Sequence, residues 1–82
     1  MAEEIEEPET LDRLTRGTRA RVLGIAGEAS TGQRLVELGV IPGVEIKFVR
    51  AAPFGDPLEY EVMGYRLSLR KSEAATIQVE AL

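Results

Sequence analysis

Five short stretches of this chain alternate apolar and polar side chains with a period of two, and this alternation constrains the fold more than any other feature. Val44, Ile46 and Phe48 fall on one face of Val44-Glu45-Ile46-Lys47-Phe48, and the pattern repeats in Leu58-Glu59-Tyr60-Glu61-Val62, Arg66-Leu67-Ser68-Leu69-Arg70 and Thr76-Ile77-Gln78-Val79-Glu80. Arg19-Ala20-Arg21-Val22-Leu23 starts in the same phase, and Gly24 stands where a bulge can re-phase Ile25. Successive strand side chains point to opposite sides, so each stretch reads as a strand with one buried face. Five such strands in roughly sixty residues predict a mainly β fold closed into a small barrel, since an open sheet of that size leaves two exposed edges.

Turn chemistry fixes the connections. Gly64-Tyr65 puts glycine first in a two-residue loop, as a type II′ turn requires, so the expected register pairs Met63 with Arg66, Tyr60 with Leu69 and Glu59 with Arg70. That register matches apolar faces and adds an opposite-charge pair on the outer face. Only one stretch has helical character. Ser30-Thr31-Gly32-Gln33 fits a capping box, Leu35 and Leu38 share a face, and Gly39 stands where a left-handed residue ends a helix. A helix of about two turns is not stable alone, so it must lay Leu35 and Leu38 over an open end of the barrel. Ile41-Pro42-Gly43-Val44 then has proline and glycine at the central positions of a type II turn.

Composition narrows the function. The 82 residues contain no histidine and no cysteine, which removes disulfides, thiolate ligands, the commonest transition-metal ligand and the usual general base. An enzyme has no nucleophile and base pair to work with. The net charge of −4 is concentrated at one end. Glu3, Glu4, Glu6, Glu7 and Glu9 lie in the first ten residues, and without them nine acidic residues face ten basic ones. Residues 1–10 read as a disordered acidic tail and residues 11–82 as one domain, near neutral and with no strong footprint for a polyanion. A nucleic-acid-binding barrel, suggested by Arg13, Arg16, Arg19 and Arg21, is therefore disfavoured. No basic and apolar leader or membrane span is present in the sequence, so a cytoplasmic protein is expected.

Arg34-Leu35-Val36-Glu37-Leu38-Gly39-Val40-Ile41-Pro42-Gly43, Pro53-Phe54-Gly55-Asp56-Pro57, Gly64-Tyr65 and Leu69-Arg70-Lys71-Ser72-Glu73-Ala74 together resemble the FeoA family, from about Leu11 to Leu82. The resemblance implies an SH3-like barrel of about five strands with a short helical insertion. It also implies a cytosolic accessory role in bacterial ferrous-iron uptake, through protein–protein interaction with the cytoplasmic portion of FeoB, a GTP-gated membrane transporter. Ferrous iron is then the pathway's substrate, with no tightly bound cofactor. The same domain closes the C-terminal end of iron-dependent repressors, where its carboxylates can assist metal binding; the helix-turn-helix and dimerisation domain of those proteins do not occur in this sequence. Oligomeric state and the direction of regulation stay open.

Leu38, Gly39, Pro42, Gly43, Pro53, Gly55, Pro57 and Gly64 each have a backbone role and are expected to determine the fold. The candidate partner-binding residues are Phe54, Asp56, Arg34, Arg66 and Arg70. Pro53 and Pro57 stiffen the loop that carries Phe54, which either stands out as an apolar anchor or tucks against the core; the arginines form either a solvated face or a basic patch for an acidic partner. Asp56, Glu59 and Glu61 are the nearest set of oxygen ligands, a weak candidate for hard ions only.

Overall fold

The computed structural model describes residues 9–82, so the part of the acidic tail before Glu9 lies outside the described residues. Six strands form one antiparallel sheet: β1 (Glu9–Thr10), β2 (Arg19–Ile25), β3 (Glu45–Ala51), β4 (Leu58–Val62), β5 (Tyr65–Leu69) and β6 (Ile77–Ala81), in the order β1-β6-β2-β3-β4-β5. Helix α1 (Ala29–Glu37) joins β2 to β3, and a one-turn helix α2 (Lys71–Ala74) joins β5 to β6. All five alternating stretches are strands. The sixth is built from Glu9 and Thr10, which the acidic composition groups with the tail; here they pair with Val79 and Gln78 and bring Leu11 into the core.

Alternation becomes burial as the period of two requires. Ala20, Val22, Ile46, Leu58, Tyr60, Val62, Leu67, Leu69, Ile77 and Val79 face inward and are buried, whereas Arg19, Arg21, Glu45, Glu61, Arg66 and Ser68 face outward. The register of β2 against β6 shifts between Val22 and Gly24, the re-phasing expected at Gly24, so that Ile25 lies opposite Ile77. Tyr60 is fully buried, stacks obliquely on Phe48 with ring centroids 5.4 Å apart, and donates its hydroxyl proton to the Leu11 carbonyl at 3.2 Å. This bond crosses from β4 to the residue after β1, so the sheet must curl to bring its two ends around one core.

Burial, with the Asp12 carboxylate nearby, pushes the Tyr60 phenol up from its ordinary value near 10. The neutral phenol therefore contributes stability that is intact below about pH 10 and is lost as pH rises further, because the unfolded chain gives up this proton first. The denaturant midpoint is expected to fall above about pH 10. Tyr60→Phe should cost about 1 kcal/mol at neutral pH through loss of the Leu11 bond, and should show a shallower alkaline fall. Equal alkaline slopes in the two proteins would remove Tyr60 as the cause.

The hairpin between β4 and β5 turns one residue earlier than the Gly64-Tyr65 spacing predicts. Met63 and Gly64 are the central residues, both with positive φ (47° and 85°), as in a type I′ turn, and Val62 faces Tyr65. Tyr60 accordingly lies opposite Leu67 and Glu59 opposite Ser68, in place of Leu69 and Arg70. Moving the turn by one residue moves each cross-strand partner by two, which preserves the faces, so the apolar pattern could not separate the two registers. The outer-face ion pair is Glu61 with Arg66, at 3.8 Å.

Helix α1 also starts earlier than the capping-box motif suggests. Glu28 is the N-cap, no side chain caps the end, and Ser30 lies inside the first turn. Its C-terminus matches expectation. Gly39 has φ +100°, its N–H donates to Val36 O at 2.9 Å, and Val40 N–H donates to Leu35 O at 3.0 Å, the paired bonds of a Schellman ending. Leu35 is fully buried and Leu38 packs against the core edge. The type II turn follows as expected, with Val44 N–H donating to Ile41 O at 3.1 Å and Gly43 at φ +97°.

Candidate functional site

Residues 52–57 connect β3 to β4, between the paired Ala51 and Leu58. Gly55 N–H closes the tip onto Ala52 O at 2.7 Å with Pro53 just inside the turn, and Ala52 N–H bonds Pro57 O at 2.9 Å. A loop braced across its base and across its tip has its backbone held, which sets where its side chains emerge. Phe54 is 100% exposed. Of the two readings of this residue, packing on the core is excluded by that exposure, and the tip presents a bare aromatic ring to solvent.

Asp56 fixes the loop to the next element. Its Oδ1 accepts the Lys71 backbone N–H at 2.9 Å, satisfying one of the orphan donors in the first turn of α2. Glu73, three residues after the N-cap Arg70, accepts the Arg70 N–H through Oε1 at 2.9 Å. It also pairs through Oε2 with Arg34 of α1. One carboxylate therefore links α1 to the start of α2, while Asp56 links the Phe54 loop to the same helix end.

These links assemble a shallow groove beside β5, lined by Arg34, Asp56, Pro57, Ser68, Arg70 and Glu73. Three residues singled out from sequence, Arg34, Asp56 and Arg70, meet there although the first and last are far apart along the chain. Arg34 and Glu73 neutralise each other, and Arg70 has no ion-pair partner among the described residues. Pro57 and Ser68 also line an adjoining, mostly apolar depression with Ala51, Ala52, Pro53 and the paired Arg50 and Glu59. The surface thus runs from an exposed aromatic ring, past a mostly apolar hollow, to Arg70, which shares its groove with Asp56 and Glu73 but forms an ion pair with neither.

Arg66 does not belong to this groove. It faces the same side of β5 as Ser68 but pairs with Glu61 nearer the hairpin tip. Glu73 and Ser68 are site residues that the alternation did not single out; for Glu73 the signal was present as Arg70-x-x-Glu73, with glutamate at the third position of a helix too short to show periodicity.

The carboxylates proposed as oxygen ligands are held apart. Glu59 is hydrogen bonded to Arg50, which holds its carboxyl below the usual carboxylate range against an opposing effect of desolvation. Glu61 faces Arg66, and Asp56 is engaged at α2. Among the described residues no group of three Asp, Glu, His or Cys side chains is placed to hold a metal ion.

Residues 9–81 match the model of the FeoA domain. The chain belongs to the FeoA family. It is 36% identical over 72 residues to an Fe(2+) transport protein A/Fe(2+) transporter FeoB fusion protein of Porphyromonas gingivalis, an alignment covering 88% of this chain and 8% of that protein. This chain thus corresponds to a small part of that relative. The FeoA protein of Chlorobium tepidum superposes with a TM-score of 0.84 at 39% identity, over 90% of this chain and 70% of that one. A zinc complex of FeoA from Stenotrophomonas maltophilia, described as a prokaryotic SH3-domain protein, superposes with a TM-score of 0.76 at 34% identity, over 88% of this chain and 89% of that one. The FeoA domain described above is accordingly an SH3-like barrel, as the motif resemblance implied; the strand pattern by itself implied a small β barrel. No helix among its described residues is long and apolar enough to cross a membrane.

Proposed function

We propose that this FeoA domain is an accessory component of bacterial ferrous-iron uptake, acting in the cytoplasm by binding the cytoplasmic portion of a FeoB-type transporter. The observation that carries this reading is the Porphyromonas gingivalis relative, in which a stretch similar to most of this chain is joined in one polypeptide to a FeoB transporter. A covalent link keeps two modules at high effective concentration. As separate chains, the same two modules need a docking surface to meet. The Phe54 loop and the groove beside it have the features that protein interfaces favour: an exposed aromatic on a braced loop, a mostly apolar hollow and a nearby arginine.

The reading is one of binding without chemistry. The chain has no histidine or cysteine, and Asp56, Glu59, Glu61 and Glu73 are each engaged by a backbone N–H or an arginine. Ferrous iron enters as the cargo of the transporter, and this chain neither holds it as a cofactor nor contacts nucleic acid. Binding is tested between the purified chain and the full-length transporter in nanodiscs, with and without guanine nucleotide. Saturable association in at least one nucleotide state is expected, together with reduced iron uptake in cells lacking the protein. No association in any nucleotide state, with normal uptake in those cells, would overturn the proposal.

A further inference from the structure

β5 is the last strand of the sheet, and among the described residues it pairs only with β4. The Met63-Gly64 turn decides which of its backbone groups that pairing uses. A two-residue type I′ loop makes the flanking Val62 and Tyr65 a hydrogen-bonded pair, and bonded and non-bonded pairs alternate from there. Tyr65, Leu67 and Leu69 therefore turn their N–H and C=O groups to β4, opposite Val62, Tyr60 and Leu58. Arg66 and Ser68 turn theirs the other way, off the edge of the sheet. No partner among the described residues takes these four groups. The open stretch ends at Arg70, whose N–H is accepted by Glu73 Oε1 and whose carbonyl accepts the Glu73 and Ala74 N–H groups.

Natural edge strands are blunted by proline, by a bulge, by shortness or by a covering element. The opposite edge, β1, has only two residues. β5 has five, contains no proline, and keeps a continuous register with β4. Helix α1 stands beside it without sealing it. Arg34 ties the helix to Glu73, just beyond one end of β5, and the Tyr65 hydroxyl at the other end donates to the Leu38 carbonyl. Arg34 and Ser68 nevertheless line one groove, and Arg66 and Ser68 are both exposed.

We propose that β5 receives an extended segment of the protein partner as an additional strand, laid along its open edge beside α1. The complementarity that selects this occupant is between backbone dipoles. The free N–H and C=O groups of Arg66 and Ser68 recur at the two-residue spacing of a strand, about 6.8 Å, and an extended main chain offers acceptors and donors at that same repeat. A helix uses its own backbone groups internally and offers none. Net charge does not choose the occupant, because Arg34 and Arg70 share the groove with Asp56 and Glu73, and Arg66 is paired with Glu61. On the α1 side, the added strand's side chains fall beside the exposed Tyr65 ring and the partly buried Leu38, which suits an apolar residue there. The inference rests on the transporter-binding reading above and supplies its mode: main-chain hydrogen bonds give affinity, and alternate side chains give selectivity.

Ser68→Pro separates the main chain from the side chain. It removes the outward N–H and leaves the bonds to β4 in place, and proline is tolerated on an edge strand whose N–H faces away from the sheet. Against the full-length transporter in nanodiscs, Ser68→Pro should weaken association at least about tenfold more than Ser68→Ala, which keeps the N–H. Hydrogen exchange of the full chain reads the same contact without a variant. The Arg66 and Ser68 amides should exchange rapidly in the free chain, unlike those of Leu67 and Leu69, and should slow at least about tenfold in the complex. Association that persists equally in both Ser68 variants, or that leaves exchange at Arg66 and Ser68 unchanged, would overturn this inference and leave the accessory role standing. Absence of association by the parent chain would overturn both. Protection of the two amides in the free chain that grows with its concentration would make a second copy the occupant, and would also overturn the inference.

Discussion

Gly39→Ala is expected to lower stability by about 2 to 4 kcal/mol, the largest loss among the glycine-to-alanine changes of this chain. Two effects combine. Gly39 has φ +100°, a conformation that costs an L residue about 1 to 2 kcal/mol. A Cβ built there overlaps the Tyr65 hydroxyl and comes within 3.3 Å of Met63 Cε. That hydroxyl donates to the Leu38 carbonyl, one of the carbonyls a helix end leaves without an intrahelical partner, so displacing it removes a hydrogen bond worth about 1 kcal/mol. A domain of this size holds only about 4 to 11 kcal/mol in total, so Tm should drop by at least about 10 °C. The cause can be isolated by a double-mutant cycle. Tyr65→Phe removes the overlapping oxygen, so Gly39→Ala should cost about 1 kcal/mol less in that background. Strict additivity would leave backbone strain as the only cause.

The same corner shows what the sequence could and could not reveal. Strand identity was legible because a period of two is a local property, and every alternating stretch is a strand. The Schellman ending and the type II turn were legible because Gly39, Pro42 and Gly43 have narrow conformational preferences. Register was not. Both candidate turns at Gly64 preserve the apolar faces, and choosing between them depends on whether Met63 accepts a positive φ, which its residue type does not announce. Ser30 was a plausible cap by composition, yet the helix begins at Ala29 with Glu28 as its N-cap. The candidate site was half legible. Arg34, Asp56 and Arg70 were chosen for their chemistry, but their meeting depends on Glu73, which pairs with a residue 39 positions away. Nothing local signals that contact. Arg66, chosen by the same chemistry, was drawn elsewhere by Glu61.

The exposure of Phe54 gives the proposed interface its clearest test. Phe54→Ala should leave thermal stability within about 0.5 kcal/mol of the parent, as expected for a surface change away from caps and strained backbone, because the ring touches solvent on all sides. Binding to the transporter in nanodiscs should weaken at least about tenfold, or 1.4 kcal/mol, the loss typical of an aromatic anchor. Arg70→Glu is the complementary change. Its side chain is exposed and has no ion-pair partner among the described residues, and a carboxylate at a helix N-cap is not unfavourable to the helix. The variant should therefore fold, yet it turns the open end of the groove acidic beside Asp56 and Glu73. If the partner presents an acidic surface there, association should slow and the salt dependence of binding should weaken or reverse. The pair of variants separates the contributions: Phe54→Ala should act mainly on dissociation and Arg70→Glu mainly on association. Parent-like affinity in both, with both proteins folded, would remove this face from the interface.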